Sequence, residues 1–283
     1  MNKYLIVGQS GQLGQAFQQL IPAAQRVTID QDTVDLARPE SIQLPLHGIS
    51  AVLNCAAYTA VDAAETDEET ARKVNALAVQ VMAQQCKDAN IPIVHYSTDY
   101  VFQGQATAPY PVDAPRGALG AYGRTKQLGE EFLEQSGADY LLVRTSWVYA
   151  PWGNNFVRTM ARLISQKPAL KVVDDQRGRP THALGLAERS FALLNQGQRG
   201  AFHITDEGEC SWYEFALAIR AAIGASCDIQ PCTTAEFPRP APRPAYSVLD
   251  LSKTTALLGP GKTYQEWLDI MRDGLVREIN AVG

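Results

Sequence analysis

Short apolar runs alternate with longer amphipathic stretches through the first half of the chain. Runs of four to seven residues that predict strands lie at 4–7, 26–30, 51–54, 93–97 and 140–146. Stretches with apolar residues at helical spacing lie between them, at 12–20, 68–89 and 126–135. This repeated strand–helix–strand order predicts an α/β fold, a doubly wound parallel sheet with helices on both faces.

The pattern is looser after Val148. Helical spacing recurs at 155–165 and 212–223, and short apolar runs at 171–173 and 201–204 predict strands. We therefore predict that the chain divides near residue 150, and that the second region is smaller and partly interleaved with the first.

Prolines alternate with other residues from Phe237 to Pro244, in the segment FPRPAPRP. Each proline removes a backbone donor and restricts the residue before it, so this segment cannot be helical. It is either an extended linker or a rigid arm over a cleft. Four apolar residues beyond it are expected to pack in the core: Leu257, Trp267, Met271 and Leu275.

Composition argues against several classes of protein. With 25 Lys and Arg against 30 Asp and Glu, the formal charge is −5, which argues against nucleic-acid binding. The five cysteines are scattered without a C-x-x-C motif, which indicates reduced thiols and a cytoplasmic protein. No run of 18 apolar residues predicts a membrane span, and the apolar N-terminal run is too short for a signal peptide.

A glycine-rich turn, GQSGQLG at 8–14, joins the first predicted strand to the first predicted helix. Glycines permit a tight turn and a close approach of the backbone to a pyrophosphate, and the helix N-terminus offers free N–H groups to that anion. A purely structural turn is the alternative, but the position between strand and helix favours a Rossmann-like dinucleotide site. Its predicted cofactor contacts are Gly8, Ser10, Gly11, Gln12, Leu13 and Gly14.

Asp30 ends the second predicted strand, 22 residues after Gly8. An acid at this place typically binds the ribose 2′-hydroxyl of the adenosine, and it would repel the 2′-phosphate of NADP. Asp30 therefore favours NAD over NADP. A turn-capping role for Asp30 stays open as the alternative.

Tyr122 and Lys126 are four residues apart and share one face of a predicted helix. Reduction of a ketone needs a proton for the oxygen, and a tyrosine hydroxyl can supply it. A neighbouring ammonium is expected to lower the tyrosine pKa toward working pH. Thr98 follows a buried strand, where ligands bind in open α/β sheets, and its hydroxyl could orient a carbonyl. Solvated or capping side chains are the alternative for each residue alone.

Longer segments resemble a known family. The glycine turn, the segment NCAAYTAVD at 54–62 and the Tyr/Lys pair resemble extended short-chain dehydrogenases. Three further segments resemble the dTDP-4-dehydrorhamnose reductase family: STDYVF at 97–102, RTSWVY at 144–149 and GNNF at 153–156. The resemblance runs from the first strand to about Leu251.

The resemblance implies roles for the residues that match these motifs. It makes Thr98, Tyr122 and Lys126 the catalytic residues. Further implied cofactor contacts are Asp35, Leu36, Ala56, Ala57 and Thr59, together with Tyr122 and Lys126. The residues implied to face the substrate are Thr98, Asp99, Tyr100, Trp147 and Asn155. For Trp147 a core aromatic is the alternative.

The activity implied by the resemblance is NADH- or NADPH-dependent reduction of the 4-keto group of dTDP-4-dehydro-L-rhamnose to dTDP-L-rhamnose. Residues 1–150 would then be an NAD(P)-binding Rossmann domain, and 151–283 mainly a substrate-binding region with short segments that return to the first domain. Guanidinium groups match phosphate oxygens, so Arg179 and Arg243 are candidates for the substrate diphosphate. Arg239 is as readily interpreted as a solvated surface residue.

Two departures from the family bear on assembly. Family members that form metal-linked dimers carry a Glu where this chain has Ala16, and their P-T-G-A-E segment reads PTHAL here, ending at Leu184. Carboxylates are the ligands that hard divalent cations prefer. We therefore expect no metal and a monomer or weak homodimer.

Two other functions stay open. The protein could be another nucleotide-sugar 4-ketoreductase or an epimerase that uses the same Tyr/Lys chemistry. It could also be a non-catalytic, cofactor-binding regulatory subunit, since a fold does not establish a function. Such subunits tend to lose the tyrosine or the lysine, and both Tyr122 and Lys126 are present.

Overall fold

A computed structural model describes residues 2–282 of the chain. Its strands are β1 (Lys3–Val7), β2 (Arg26–Ile29), β3 (Ile49–Asn54), β4 (Ile93–Thr98), β5 (Tyr140–Thr145), β6 (Val148–Tyr149), β7 (Ala169–Val173), β8 (Arg177–Gly178), β9 (Thr181–His182), β10 (Gly200–His203), β11 (Cys210–Ser211) and β12 (Asp228–Cys232). Its α-helices are α1 (Gln12–Leu20), α2 (Glu68–Arg72), α3 (Ala78–Asp88), α4 (Ala121–Gln135), α5 (Phe156–Gln166), α6 (Ala183–Asn195), α7 (Trp212–Ile223), α8 (Ser252–Leu258) and α9 (Tyr264–Val282).

The main sheet has six strands in the order β10–β5–β4–β3–β1–β2, and every neighbouring pair is parallel. The predicted fold class is therefore confirmed. In this order β1 lies between β2 and β3, so the chain leaves β1 in one direction along the sheet and later continues in the other. Ligands of open α/β sheets bind at such a reversal, outside the carboxyl ends of the strands.

Both faces of the sheet are covered by apolar cores. Successive side chains of a strand point to opposite faces, so Ile6 joins the core under α1 and α6, and Leu5 joins the core under α3 and α4. Phe17 fills the first core and Met82 the second, and both side chains are fully buried. The continuous apolar runs in the sequence reflect this burial on two sides.

The helix predicted over 68–89 is interrupted. A π-helical turn at Lys73–Leu77 separates α2 from α3. The backbone of α4 packs directly on this turn, because a Cβ on Gly129 would lie 2.1 Å from the Asn75 carbonyl oxygen. A π-turn of this kind often marks a functional site.

A third core lies in the second half of the chain, among α5, α7 and α9. Trp267, Met271 and Leu275 are buried there, as predicted. The prediction for Leu257 is wrong, since this residue is 42% exposed. The inward side of the short helix α8 carries Thr254, which is buried, and Leu258, which packs against the first core, so Leu257 is left at the surface.

Residues 237–244 contain neither helix nor strand, as the prolines predicted. Within residues 2–282, no helix is long and apolar enough to cross a membrane. The division of the chain near residue 150 stays a prediction. Strand β10 pairs with β5, so at least one segment of the second half belongs to the main sheet.

Candidate active site

A cleft of about 580 Å³ opens at the carboxyl ends of the main strands. Thirteen of the fourteen predicted cofactor residues line it: Gly8, Ser10, Gly11, Gln12, Leu13, Asp30, Asp35, Leu36, Ala56, Ala57, Thr59, Tyr122 and Lys126. The fourteenth is Gly14, which is buried behind the glycine turn. The predicted substrate residues Thr98, Asp99, Tyr100, Trp147, Asn155, Arg179 and Arg243 do not line this cleft.

The glycine turn has the geometry of a phosphate cradle. Gly8 has a φ of +83°, a conformation that favours glycine. A Cβ on Gly14 would lie 2.1 Å from the Gly8 carbonyl oxygen, so only glycine lets α1 pack on the turn. No side chain caps the start of α1, and the N–H groups of Gln12 and Leu13 at the cleft have no acceptor within the helix. These features fit the pyrophosphate of a dinucleotide.

Two aspartates lie on the loop after β2. Asp30 accepts a hydrogen bond from the Ser10 N–H at 3.1 Å, which holds its carboxylate beside the glycine turn. Asp35 accepts from the Ala37 N–H and from Nε of Arg38, both at 2.9 Å. The Arg38 hydrogen bond keeps the pKa of Asp35 below its ordinary value. Asp35 thus shapes the loop, and Asp30 is the acid at the place expected for a ribose.

The Tyr/Lys pair lies at the start of α4. Nζ of Lys126 is buried and donates to the Tyr96 carbonyl oxygen at 2.6 Å. Burial lowers the pKa of Lys126 to about 8, although Glu130 raises it in part. Burial raises the pKa of Tyr122 to about 12. The Tyr122 pKa is thus shifted upward, opposite to the lowering that was predicted from Lys126, because desolvation is the largest cause of the shift. Tyr122 therefore keeps a proton to donate.

Thr98 at the end of β4 and the two residues after it are grouped around Tyr122. Oγ1 of Thr98 donates to the Asp99 carboxylate at 2.8 Å and accepts from the Tyr100 N–H at 3.2 Å. The nearby Thr98 hydroxyl lowers the pKa of Tyr122 in part. The Tyr100 ring meets the Tyr122 ring edge-on, with centroids 5.8 Å apart. Burial raises the pKa of Asp99 to about 6. The fold thus brings the Thr98 hydroxyl close to Tyr122, the predicted proton donor.

Asn75 connects the two halves of this site, and its role was missed in the sequence. Its Oδ1 accepts from the Tyr58 N–H at 2.9 Å, and its Nδ2 donates to the Tyr58 carbonyl at 3.1 Å. The same Nδ2 donates to Oγ1 of Thr125 at 3.2 Å. The segment along the cofactor cleft is thereby tied to α4. Only the π-turn places Asn75 here, and that turn has no clear signal in the sequence.

Trp147 packs against the second half of the chain. Its ring stacks on Trp212 with centroids 3.5 Å apart. A Cβ on Gly178 would lie 2.7 Å from the Trp147 ring, so a glycine is needed beneath it. Trp147 also has a φ of +48°, which is unusual for a bulky residue and aims the ring toward this stack. The ring is partly buried, which fits the core-aromatic alternative at least as well as a substrate contact.

Asn155 is bonded to the protein through all of its polar side-chain atoms. It caps α5, because its Oδ1 accepts from the Arg158 N–H at 3.1 Å. Its Nδ2 donates to Oε1 of Gln12 at 3.0 Å and to the carbonyls of Ala150 and Trp152 at 2.9 and 3.1 Å. Asn155 therefore links the glycine turn to α5, and its contact with the substrate stays a prediction.

The proline-rich segment is held down by an ion pair. Nη2 of Arg243 lies 2.8 Å from the Asp62 carboxylate, and Nη1 of Arg239 lies 4.0 Å from it. Nη1 of Arg243 is buried with no hydrogen-bond partner among the described residues. The Arg243 guanidinium also lowers the pKa of Tyr100, which burial raises overall. Arg243 thus lies near the Tyr100–Tyr122 pair. The sequence had no signal for Asp62.

Arg179 lies apart from this group. Its Nη1 is 3.4 Å from a carboxylate oxygen of Glu207. Its Nε is buried and has no hydrogen-bond partner within the described part of the chain. The Arg179 carbonyl accepts from the Ser146 hydroxyl at 2.6 Å, which ties this residue to the end of β5.

The cleft also contains residues that the sequence analysis did not select. They are Val7, Gln31, Val34, Ala37, Cys55, Tyr58, Thr70, Val74, Tyr96, Ser97, Thr145, Val148 and Leu186. Ser97 and Thr145 lie at the carboxyl ends of their strands, and the rule that ligands bind there could have found them. Thr70 lies on α2 and Val74 on the π-turn beside the cleft, and neither has a local signal in the sequence.

Within residues 2–282, no three His, Cys, Asp or Glu side chains are grouped closely enough to hold a metal ion. Ala16 is fully buried under the sheet. The expectation that no metal links two copies of this chain stays a prediction.

Comparisons with known proteins agree with this geometry. A family model described as RmlD substrate binding domain matches residues 2–275. The chain belongs to this family. A Burkholderia thailandensis protein named dTDP-4-dehydrorhamnose reductase is 41% identical over 267 residues, which cover 87% of this chain and 90% of that protein.

Two further relatives bear on substrate and cofactor. A Streptomyces antibioticus protein named probable dTDP-4,6-dihydroxy-2-methyloxan-3-one 4-ketoreductase is 40% identical over 254 residues, 87% of this chain and 86% of that protein. The crystal structure of a dTDP-4-dehydrorhamnose reductase from Bacillus anthracis in complex with NADP has a TM-score of 0.90 and is 32% identical. The match covers 95% of this chain and 98% of that one.

Proposed function

We propose that this protein uses NADH or NADPH to reduce the 4-keto group of dTDP-4-dehydro-L-rhamnose, which yields dTDP-L-rhamnose. The observation that carries the proposal is one continuous cleft. It contains a glycine turn with free amides, a partly buried Tyr122 and a buried Lys126. The names of the Burkholderia and Bacillus relatives support the same reaction.

In this proposal the protein positions the sugar and supplies the proton. When bound, the nicotinamide provides a hydride for C4 of the sugar. Tyr122 donates its hydroxyl proton to the 4-keto oxygen, and burial keeps that proton in place until negative charge develops there. Thr98 lies between Asp99 and the Tyr100 amide, and its hydroxyl orients the same oxygen by turning its proton from the Asp99 carboxylate to the sugar. Lys126 has further ammonium protons for a ribose hydroxyl beyond the one on Tyr96.

The substrate diphosphate requires cations that are not fully paired. Arg243 and Arg179 each have a buried guanidinium nitrogen with no partner in the described residues. An unpaired buried donor is unfavourable and would gain from a phosphate oxygen. Arg239 is half exposed and 4.0 Å from its acidic neighbour, so we assign it a smaller role.

The reaction is tested directly. Purified protein is mixed with dTDP-4-dehydro-L-rhamnose and either NADH or NADPH, and loss of reduced nicotinamide absorbance is followed. Oxidation that depends on the sugar supports the reductase. If the protein binds the cofactor but does not oxidise it when any nucleotide-sugar is added, the proposal is overturned and the regulatory subunit is favoured.

A second candidate is reduction of another dTDP-linked 4-keto sugar. The Streptomyces relative, named as a ketoreductase for a different sugar, favours it at nearly the same identity. Parallel assays with several dTDP-4-keto sugars rank the substrates by kcat/KM. An epimerase would be recognised by isomerised sugar without net oxidation of the cofactor.

For assembly and location we propose a cytoplasmic monomer or weak homodimer that binds neither nucleic acid nor membrane. The proposal is supported by the missing carboxylates at Ala16 and Leu184, the net charge of −5 and the scattered cysteines. Light scattering over a range of protein concentrations, with and without Mg²⁺, measures the assembly. A stable dimer that requires the metal would contradict this part.

A further inference from the structure

A buried histidine lies directly against the candidate catalytic lysine. Nε2 of His95 is 3.4 Å from Nζ of Lys126, and both side chains are 1% exposed. His95 lies on β4, 31 residues from Lys126 in sequence, and does not line the cleft. Its other ring nitrogen, Nδ1, is 2.9 Å from Nδ2 of Asn54, which is also 1% exposed.

The hydrogen bonds around Asn54 decide which nitrogen of His95 carries the proton. Oδ1 of Asn54 accepts from the Ala56 N–H at 3.3 Å, which orients the amide so that Nδ2 faces His95. An amide nitrogen only donates, so Nδ1 of His95 must accept. A neutral imidazole that accepts at Nδ1 carries its proton at Nε2. That N–H is the group that meets Lys126.

An ammonium has no lone pair, so it cannot accept a hydrogen bond from an imidazole N–H. A neutral amine can. We infer that His95 is a positioning residue for Lys126: Asn54 fixes the imidazole as the Nε2–H tautomer, whose N–H faces the lysine nitrogen and favours its neutral form. The inference rests on the proposed function only for the task that it gives to Lys126.

The other groups around Lys126 are consistent with this arrangement. Burial lowers the pKa of Lys126 to about 8, and Glu130, one turn further along α4, opposes this effect. Tyr122, one turn earlier, lines the same cleft and is held protonated by burial. Burial and the charge of Lys126 keep the pKa of His95 well below its ordinary value, so the ring is neutral. A lysine tuned toward neutral pH is suited to exchange protons during turnover.

The tautomer is measured on the whole protein, without substrate. Nitrogen-15 NMR of histidine-labelled protein separates protonated from unprotonated ring nitrogens, and His95→Gln assigns the signals. We expect His95 to carry its proton on Nε2 at neutral pH. A proton on Nδ1 instead would overturn the inference. His182→Gln is the matched control, because it removes another buried histidine and should leave the His95 signals unchanged.

The effect on Lys126 is measured by carbon-13 NMR of labelled lysine, assigned with Lys126→Met. Asn54→Asp replaces the donor with an acceptor, so His95 should move its proton to Nδ1 and accept from Lys126 through Nε2. We expect the pKa of Lys126 to rise by about one unit or more, a tenfold change in proton affinity. The double variant Asn54→Asp/His95→Leu retains the new charge without the imidazole and should show a clearly smaller rise. An equal rise in both variants would mean that charge alone acts, which would refute the role of His95.

The alkaline limb of the kcat profile should move upward with the Lys126 pKa in Asn54→Asp. If no nucleotide-sugar is reduced at all, the proposed function fails while the NMR result still decides the inference. A normal tautomer shift with an unmoved alkaline limb would overturn the link from His95 through Lys126 to turnover.

Discussion

The two halves of the chain hold their candidate residues in different ways. In the first half, the glycine turn lies within one strand–turn–helix unit and the Tyr122–Lys126 pair within one helix, and both line the cleft. In the second half, Asn155 is bonded to Gln12, 143 residues away, and Arg243 is paired with an acid 181 residues away. Nearby residues of the chain position the side chains in the first case. In the second half, hydrogen bonds and ion pairs to residues far away in sequence position them.

The predicted cofactor residues and the predicted substrate residues also differ in where the structure places them. Thirteen of fourteen predicted cofactor residues line the cleft, but none of the predicted substrate residues does. A motif within one strand–turn–helix unit, such as the glycine turn, specifies both the residue type and its direction, whereas Thr98, Asp99 and Tyr100, also in the first half, do not line the cleft. A polar residue outside such a unit can as easily bond to the protein as to a ligand, as Asn155 does.

The largest expected effect tests the local half. Tyr122→Phe removes the proton donor, so kcat should fall by about 10²- to 10⁴-fold while NADH binding stays close to that of the unchanged protein. Steady-state kinetics and fluorescence titration of NADH measure the two quantities. Tyr140→Phe, on the first residue of β5 and outside the cleft lining, is the control and should keep full activity. Full turnover by Tyr122→Phe would remove the acid assignment.

The second prediction concerns the junction where β9 meets α6. The His182 ring stacks on Trp267 at 4.1 Å, and burial lowers the His182 pKa to about 4. The unfolded chain binds this proton near pH 6.5, so the folded protein loses stability as pH falls from about 6.5 to 4. Asp206, whose pKa burial raises to about 7, acts in the opposite direction but is present in both proteins compared.

His182→Gln lacks this titration. Between pH 7 and 4 its free energy of unfolding should therefore fall less than that of the unchanged protein, by on the order of 3 kcal/mol. Urea unfolding at several pH values measures the difference. Parallel curves for both proteins would show that His182 is not held neutral by the fold.

A glycine-to-alanine substitution should have opposite effects in the two halves of the chain. Gly14→Ala places a Cβ 2.1 Å from the Gly8 carbonyl oxygen, so we expect a loss of about 1–3 kcal/mol in stability and weaker NADH binding. Gly274→Ala in α9 meets no atom within 4 Å and should stabilise the protein by up to about 1 kcal/mol, since alanine favours helices. Thermal unfolding and NADH titration measure both. Equal effects would contradict the local packing argument.

The smallest effect tests the second half. Arg243→Ala should raise the KM for the dTDP-sugar about tenfold with kcat little changed, because it removes a charged contact to the diphosphate. Arg239→Ala, in the same proline-rich segment but half exposed, should change KM by less than about threefold. An unchanged KM in Arg243→Ala would place this arginine outside the substrate site.

The sequence alone determined the fold class and predicted thirteen of the residues that line the cleft. Apolar runs gave the strand order along the chain, and the bounds predicted for α1 and α7 coincide with the helices found. These features depend on neighbours within about 15 residues, where periodicity and turn chemistry act directly.

Tertiary structure decided the rest. It placed the π-turn and Asn75, left Leu257 exposed, paired Arg243 with Asp62 and set His95 beneath Lys126. It also reversed the expected shift of the Tyr122 pKa. Burial and hydrogen-bond partners are set by segments far apart in sequence, and desolvation of a buried group can outweigh the effect of a charge four residues away.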